Sequence, residues 1–366
     1  MGADGNSTQP AAQRLESLDA LRGLDMLCII GLDALVYAIY AVAPGDTTRM
    51  LAAQFGHKDW SGLALYDLIF PLFVFISGVA MAFSLEAKRS RGVSDFRQML
   101  SLLRRAALLV FIGFVLQGGL SLNYADARVA SVLALIGISN AIGGTLAVLL
   151  KSPKKILIAL GIIAGGVTLA QCFGGDFSPE NALNAKIDRA LLPGKLYGGV
   201  FDPEGLLCLV SASVSVLFGY LAGCLVRSGE KPFLKPILLV CTGAALLAVA
   251  FLADYAGYPI IKKLWTQSFV FAASGWSFVA FALFYTLFDL LPLKALAFPL
   301  RVIGVNALAI YVLQWIFPFG SLSALLLGRG ATLCGASAPI ILASGALLLK
   351  WLLLYGLNRR MIYFKI

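Results

Sequence analysis

Long apolar stretches separated by short polar segments dominate the chain from about residue 24 onward. Runs close to the roughly 20 residues that cross a bilayer as helix fall at 24–43, 64–85, 106–122, 129–150, 156–173, 206–226, 237–253, 269–288, 300–317 and 338–357. A further apolar piece, 319–327, is too short to cross alone and reads as a re-entrant or eleventh segment. No stretch shows the apolar/polar alternation of a membrane β-barrel. The pattern therefore predicts an all-α polytopic membrane protein with about ten transmembrane helices in one bundle. A polar tail over 1–16 precedes a membrane domain over 17–366, whose longest loop covers about 174–204. That loop is too short to bury a core of its own, so any chemistry belongs to the membrane domain.

Composition sharpens this picture. Hydrophobic residues make up 60% of the chain, charged residues 13%, and mean hydropathy is +0.87, which excludes a soluble domain. A net charge of +10 would suggest a nucleic-acid partner in a soluble protein, but here the lysines and arginines gather in alternate loops. Lys88, Arg89, Arg91, Arg97, Arg104 and Arg105 follow the second run; Lys151, Lys154 and Lys155 the fourth; Arg227, Lys231 and Lys235 the sixth; Arg359, Arg360 and Lys365 end the chain. The positive-inside rule puts those loops and both termini in the cytoplasm, with no nucleic-acid partner. The loops around His57 and over 174–204 then face the other side, where Lys262 and Lys263 run against the rule. The first apolar run is too long for a signal-peptide core and is expected to stay as an anchor. Six scattered cysteines lack metal-type spacing, so no metal is expected. Phosphate loops, zinc signatures, nucleophile elbows and internal repeats are all missing, and the last weighs against transporters built from inverted halves.

Ionisable residues inside apolar runs are costly and mark cavities. Asp25 and Asp33 lie eight apart in the first run, on roughly one face of a straight helix, and Asp67 opens the second. His57, the only histidine in the chain, precedes Asp67 in a short polar loop with Lys58, Asp59 and Trp60. Imidazole takes and returns protons near neutral pH, so His57 with Asp67 and Asp33 forms a candidate catalytic group. The plainer readings are an interfacial histidine beside a Trp60 headgroup anchor and an Asp67 that caps its helix. Asp202 and Glu204, at the entrance to the sixth run, suit sugar hydroxyls or an ammonium, or simply complement a helix dipole. Trp60, Trp265 and Asn306 complete the candidate substrate contacts, although Asn306 equally suits helix–helix hydrogen bonding.

The strings carrying these residues resemble the heparan-α-glucosaminide N-acetyltransferase family. They include Leu18-Asp19-Ala20-Leu21-Arg22-Gly23-Leu24-Asp25, His57-Lys58-Asp59-Trp60-Ser61-Gly62 and Tyr66-Asp67-Leu68-Ile69-Phe70-Pro71. Later islands are Ile187-Asp188-Arg189, Phe201-Asp202-Pro203-Glu204-Gly205, Lys263-Leu264-Trp265-Thr266-Gln267-Ser268 and Gly304-Val305-Asn306-Ala307-Leu308. They occur in the family's order across nearly the whole chain. The resemblance implies an enzyme of the membrane that takes acetyl-CoA from the cytoplasmic side and acetylates an amino sugar or oligosaccharide on the far side. It implies His57 as the active-site residue and Asp67 as the aspartate of the second span. An acid at Asp33, where the lysosomal enzyme has asparagine, implies a bacterial relative in the inner membrane, without that enzyme's long N-terminal lumenal portion.

Two mechanisms fit. His57 accepts the amine proton while Asp67 or Asp33 orients the ring, or His57 itself carries the acetyl group. Asn306, Ser77 or a backbone amide is a candidate oxyanion donor. Arg22, Arg104, Arg105 and Arg301 are candidates for the CoA phosphates. The competing classes are a proton-coupled transporter or flippase and a glycan O-acyltransferase. Glycine-rich runs such as 137–144 permit close helix packing within one chain or in a homodimer.

Overall fold

The computed structural model describes residues 15–120, 126–291 and 293–364. Most of the expected tail, residues 1–14, and Lys365 lie outside the described residues. Among those described, nine helices are long and apolar enough to cross a membrane, and no strand forms beyond one isolated bridge, Arg128 with Gly194. The first crossing joins α1 (Glu16–Leu27) to α2 (Asp33–Val42) through a wide turn at Cys28–Leu32. Gly31 takes φ 136 there, open to glycine alone, and the Ile30 carbonyl receives the Lys350 ammonium instead. Because the helix breaks between them, Asp25 and Asp33 do not share the face that a straight helix would give them.

After the short α3 (Asp46–Gln54) come α4 (Leu65–Ser90), α5 (Asp95–Phe114), α6 (Val132–Leu150) and α7 (Pro153–Gly174). The loop that follows holds α8 (Leu183–Leu191) and leads into α9 (Leu206–Arg227), α10 (Leu234–Tyr255) and α11 (Gln267–Tyr285). The middle of the bundle is α4, α6, α9 and α11, while α5, α7 and α10 turn more of their surface to lipid. α4 and α9 approach backbone to backbone: a Cβ at Gly78 would run into Val216 and one at Gly219 into Phe75. Phe75, Phe278 and Phe281 fill the space beside that contact.

The run expected over 300–317 is not one helix. α12 (Lys294–Gly304) and α13 (Ala307–Ile316) meet at a 50° bend, and α12 lies across α1 with Leu300 against Gly23 and Asp19 against Gly304. Asn306, at the bend, bonds the backbone of Ile362 and Phe364 just beyond the end of α15 (Ala338–Arg359). The chain then climbs α15 in two pieces. Phe319, opening α14 (Phe319–Leu333), lies by Lys350 halfway along α15, and Ser323 bonds the Leu342 carbonyl. α12 and α13 together are long and apolar enough to make a tenth candidate crossing, broken at their 50° bend. The segment 319–327 lies in α14, which is not long and apolar enough to count as a crossing, so the described residues hold nine candidate crossings, or ten with the broken pair.

Candidate functional site

His57 stands in the loop between α3 and α4, at the end of the bundle opposite the lysine- and arginine-rich turns. Its Nδ1 lies 2.8 Å from Asp67 Oδ1 in the first turn of α4. Asp67 is buried, 1% exposed, and its other oxygen accepts from the backbone N–H of Ala64 at 3.1 Å and of Lys58 at 3.3 Å. One carboxylate therefore caps α4 and fixes the histidine loop at once. The ring of His57 is half exposed, so Nε2 is reachable from the surface. Tyr66 packs beside it with ring centroids 4.9 Å apart and donates its hydroxyl to Asp33 at 3.2 Å. Asp33 thus reaches the group through Tyr66 rather than by touching His57. Lys262 is the third neighbour, with Nζ 3.0 Å from His57 Nδ1 and 3.2 Å from Asp67 Oδ1. Burial holds its ammonium below the usual lysine range, against the pull of Asp67.

A second charged group lies behind the first. Arg128 clamps Asp202 through Nε to Oδ2 at 2.7 Å and a terminal nitrogen to Oδ1 at 2.5 Å, and also bonds Glu204. Its guanidinium covers the Tyr197 ring at 4.9 Å. Asp202 is fully buried and serves this clamp, whereas Glu204 keeps a small exposed area. Burial pushes Glu204 up to about 7, with Arg128 opposing and Asp202 adding to the rise. Asp188 receives the backbone N–H groups of Leu206 and Asp202, closing the start of α9, and burial pushes it up to about 6. Further bonds tie the loops together: Trp60 Nε1 to the Phe177 carbonyl at 2.8 Å, Gly62 N–H to Ile260 at 2.9 Å, and Lys263 to the Asp59 carbonyl at 2.7 Å.

At the other end a cavity of about 680 Å³ opens among α1, α4, α5 and the bend at Gly304. Arg22, Lys88 and Arg105 put three cationic side chains into its wall, with Ser77 and Phe73 deeper along α4 and Tyr363 and Phe364 from the end of the chain. Phe73 lies six residues along α4 from Asp67, about 9 Å of helix rise. One helix therefore carries the histidine group at one end and the floor of a cationic cavity near its middle.

The sequence pattern of an acyltransferase domain family matches residues 15–355, almost the whole chain. The chain belongs to this acyltransferase family. Two relatives are the heparan-alpha-glucosaminide N-acetyltransferases of Homo sapiens, 26% identical, and Mus musculus, 24% identical. Each comparison covers 84% of this chain and 55% of the relative, so the chain spans about half the length of these proteins.

The residues singled out from sequence do not all come together in the structure. His57, Asp67 and, through Tyr66, Asp33 come together, with Trp60 and Glu204 in the adjoining loops. Arg22 and Arg105 line the cavity, while Arg104 lies with Arg97 along a shallower groove on the outer flank of α5 and Arg301 pairs with Glu16 at 2.8 Å. Trp265 is packed between Phe70 and Phe269 and is 1% exposed. Asn306 spends its amide on the last residues of the chain, and the Ser77 hydroxyl lies 2.6 Å from the Val74 carbonyl and 2.8 Å from Asn140 Oδ1. Lys262 and Arg128 were not among the candidates. Lys262 carried a signal, as an exception to the positive-inside rule; Arg128 had none, because only the fold brings it to residues 74 and 76 positions away.

Proposed function

We propose that the protein transfers an acetyl group from acetyl-CoA, held in the cationic cavity, to the amine of an amino sugar at the His57 end. The observation that carries this reading is the His57–Asp67 pair at the head of α4 with the cationic cavity further down the same helix. The names of the two relatives support an amino-sugar acceptor. By the positive-inside rule, the cavity end faces the cytoplasm and the His57 end the opposite side.

Arg22, Arg105 and Lys88 neutralise the CoA phosphates, and the thioester reaches along α4 past Ser77 and Phe73. An ammonium cannot attack a thioester; its free amine can. As the amine nitrogen bonds to the carbonyl carbon, His57 Nε2 accepts the surplus proton. Asp67 holds the ring through Nδ1 and stabilises the imidazolium. The tetrahedral intermediate expels the CoA thiolate, which leaves as the thiol when that proton returns. Glu204, the more accessible acid of the Arg128 cluster, accepts one proton from the incoming ammonium as its carboxylate, leaves a free amine, and passes that proton on to solvent.

The test uses purified protein, radiolabelled acetyl-CoA and glucosamine, with wild type and His57→Ala compared. Label transfer in a base-stable amide by wild type, lost in a folded His57→Ala protein, is the expected result. Base-labile label would assign a hydroxyl acceptor, and label retained on wild-type protein without sugar would assign an acetyl-histidine route. A folded wild type that releases no CoA with any amino sugar contradicts the reading.

A further inference from the structure

The proposed mechanism gives no work to Lys262, although its ammonium is as close to the histidine ring as a hydrogen-bond partner. Nζ lies 3.0 Å from Nδ1 and 3.2 Å from the same Asp67 oxygen that Nδ1 faces at 2.8 Å. The lysine is mostly buried while His57 is half exposed. Its loop is also preset. Trp265 holds a left-handed backbone, φ 45, costly for a bulky residue, and its N–H returns to the Lys262 carbonyl at 2.9 Å. Phe70 and Phe269 lock the Trp265 ring, and Thr266 Oγ1 accepts from Ile261 N–H at 3.0 Å. The ammonium is therefore delivered to one point, beside Nδ1.

Nδ1 has one in-plane site for a hydrogen or a lone pair, yet two neighbours compete for it. If the ammonium donated to a bare Nδ1, the Asp67 carboxylate would face a nitrogen lone pair at 2.8 Å, a repulsive arrangement. If Nδ1 carries the hydrogen, it donates to Asp67, the ammonium donates to the same carboxylate, and Nε2 is left with its lone pair. A carboxylate alone beside an imidazole favours the doubly protonated ring, whereas an adjacent ammonium opposes the second proton. We propose that Lys262 is a positioning residue that, with Asp67, holds His57 as the neutral Nδ1–H tautomer and keeps Nε2 free as a base. The proposal rests on the reading of His57 as the base or acetyl carrier.

The other groups facing this site do not reproduce that charge. Tyr66 packs its ring at a tilt against His57 and gives its hydroxyl to Asp33. Lys58 contributes its backbone N–H to Asp67, and Lys263 is turned to the Asp59 carbonyl and the Trp60 ring. Glu204 acts on Lys262 from the far side and favours its cationic form.

His57 is the only histidine, so protein labelled with [15N]histidine gives one pair of ring-nitrogen signals, assignable without mutation. The experiment records them from pH 5 to 9 in wild type, Lys262→Met, Lys262→Gln and Lys262→Arg, each as full chain with its thermal midpoint checked. Wild type is expected to show a protonated Nδ1 and a bare Nε2 at neutral pH. In Met and Gln variants the ring is expected to hold its second proton to a higher pH, by about one unit, with the acid limb of kcat/KM moving alongside and roughly tenfold lower kcat/KM on that limb. Lys262→Arg is expected to keep the wild-type signature. An Nε2–H tautomer in wild type, or unchanged titration in a folded neutral variant, overturns the proposal. The nitrogen signals need no turnover, so an inactive wild type with the expected tautomer would refute only the acetyltransfer reading.

Discussion

At the His57 end, one buried carboxylate faces a histidine, a lysine and two backbone amides, and three loops are stitched to each other by side-chain bonds to backbone carbonyls. At the basic end, cationic side chains line an open cavity, with Arg22 3.4 Å from Asp19 and Lys88 3.1 Å from Ser101. The contrast teaches a division of labour. Under the proposed mechanism proton transfer needs groups held at fixed distances, which the buried Asp67 and its four partners supply. Under the same proposal a long flexible anion needs several cations around an open space rather than one fixed geometry, and the cavity offers three.

The largest expected effect lies at the His57 end. Asp67→Asn removes the acceptor that orients His57 and should lower kcat by about 10²–10⁴-fold in the labelled-transfer assay, with little change in KM for acetyl-CoA. Arg128→Met comes next, and acts on stability. It leaves Asp202 and Glu204 buried without their cation and should cost about 3–5 kcal/mol, read as a fall in thermal midpoint or loss of folded yield. The cavity end should answer differently: Arg105→Ala should raise KM for acetyl-CoA by roughly tenfold with a smaller fall in the midpoint than Arg128→Met, and Arg22→Ala should raise KM similarly while also lowering the midpoint, because the buried Asp19 loses that cation. Asn306→Ala, which frees the backbone of Ile362 and Phe364 at the cavity wall, should raise that KM by only about twofold to fivefold and leave the acceptor KM alone.

The smallest effect is in pH. Burial raises Glu204 in the folded protein to about 7, above its usual range, so its contribution to stability is full below about pH 4.3 and is lost as pH rises through 7. The thermal midpoint should therefore fall by a few degrees between pH 5 and 8, and Glu204→Gln should flatten that slope. A slope unchanged by the substitution would remove Glu204 from the account.

Much of the fold was legible in the sequence because bilayer thickness translates directly into run length, and ten crossings follow. The crossing expected over 300–317 is broken rather than straight, because apolarity does not report where a helix bends. The break falls at Asn306, and Lys294–Gly304 lies across α1 although its composition resembles a span. For the same reason, the shared face expected of Asp25 and Asp33 fails at Gly31, whose φ of 136 no periodicity reveals. The pairing of His57 with Asp67 was readable, since they are ten residues apart around a helix start. Lys262 is 205 residues from His57, and only packing of the loop between α10 and α11 brings it there. Asp202 and Trp265 looked like substrate contacts by type, yet the fold spends one on Arg128 and buries the other between aromatic rings.

The claim that donor and acceptor enter from opposite ends is tested most directly in sealed proteoliposomes holding oriented protein. Labelled acetyl-CoA is supplied only on the side of the basic turns and glucosamine only on the other. The account predicts labelled N-acetylglucosamine on the glucosamine side, absent with His57→Ala. Product formed only when both substrates share one side would contradict it.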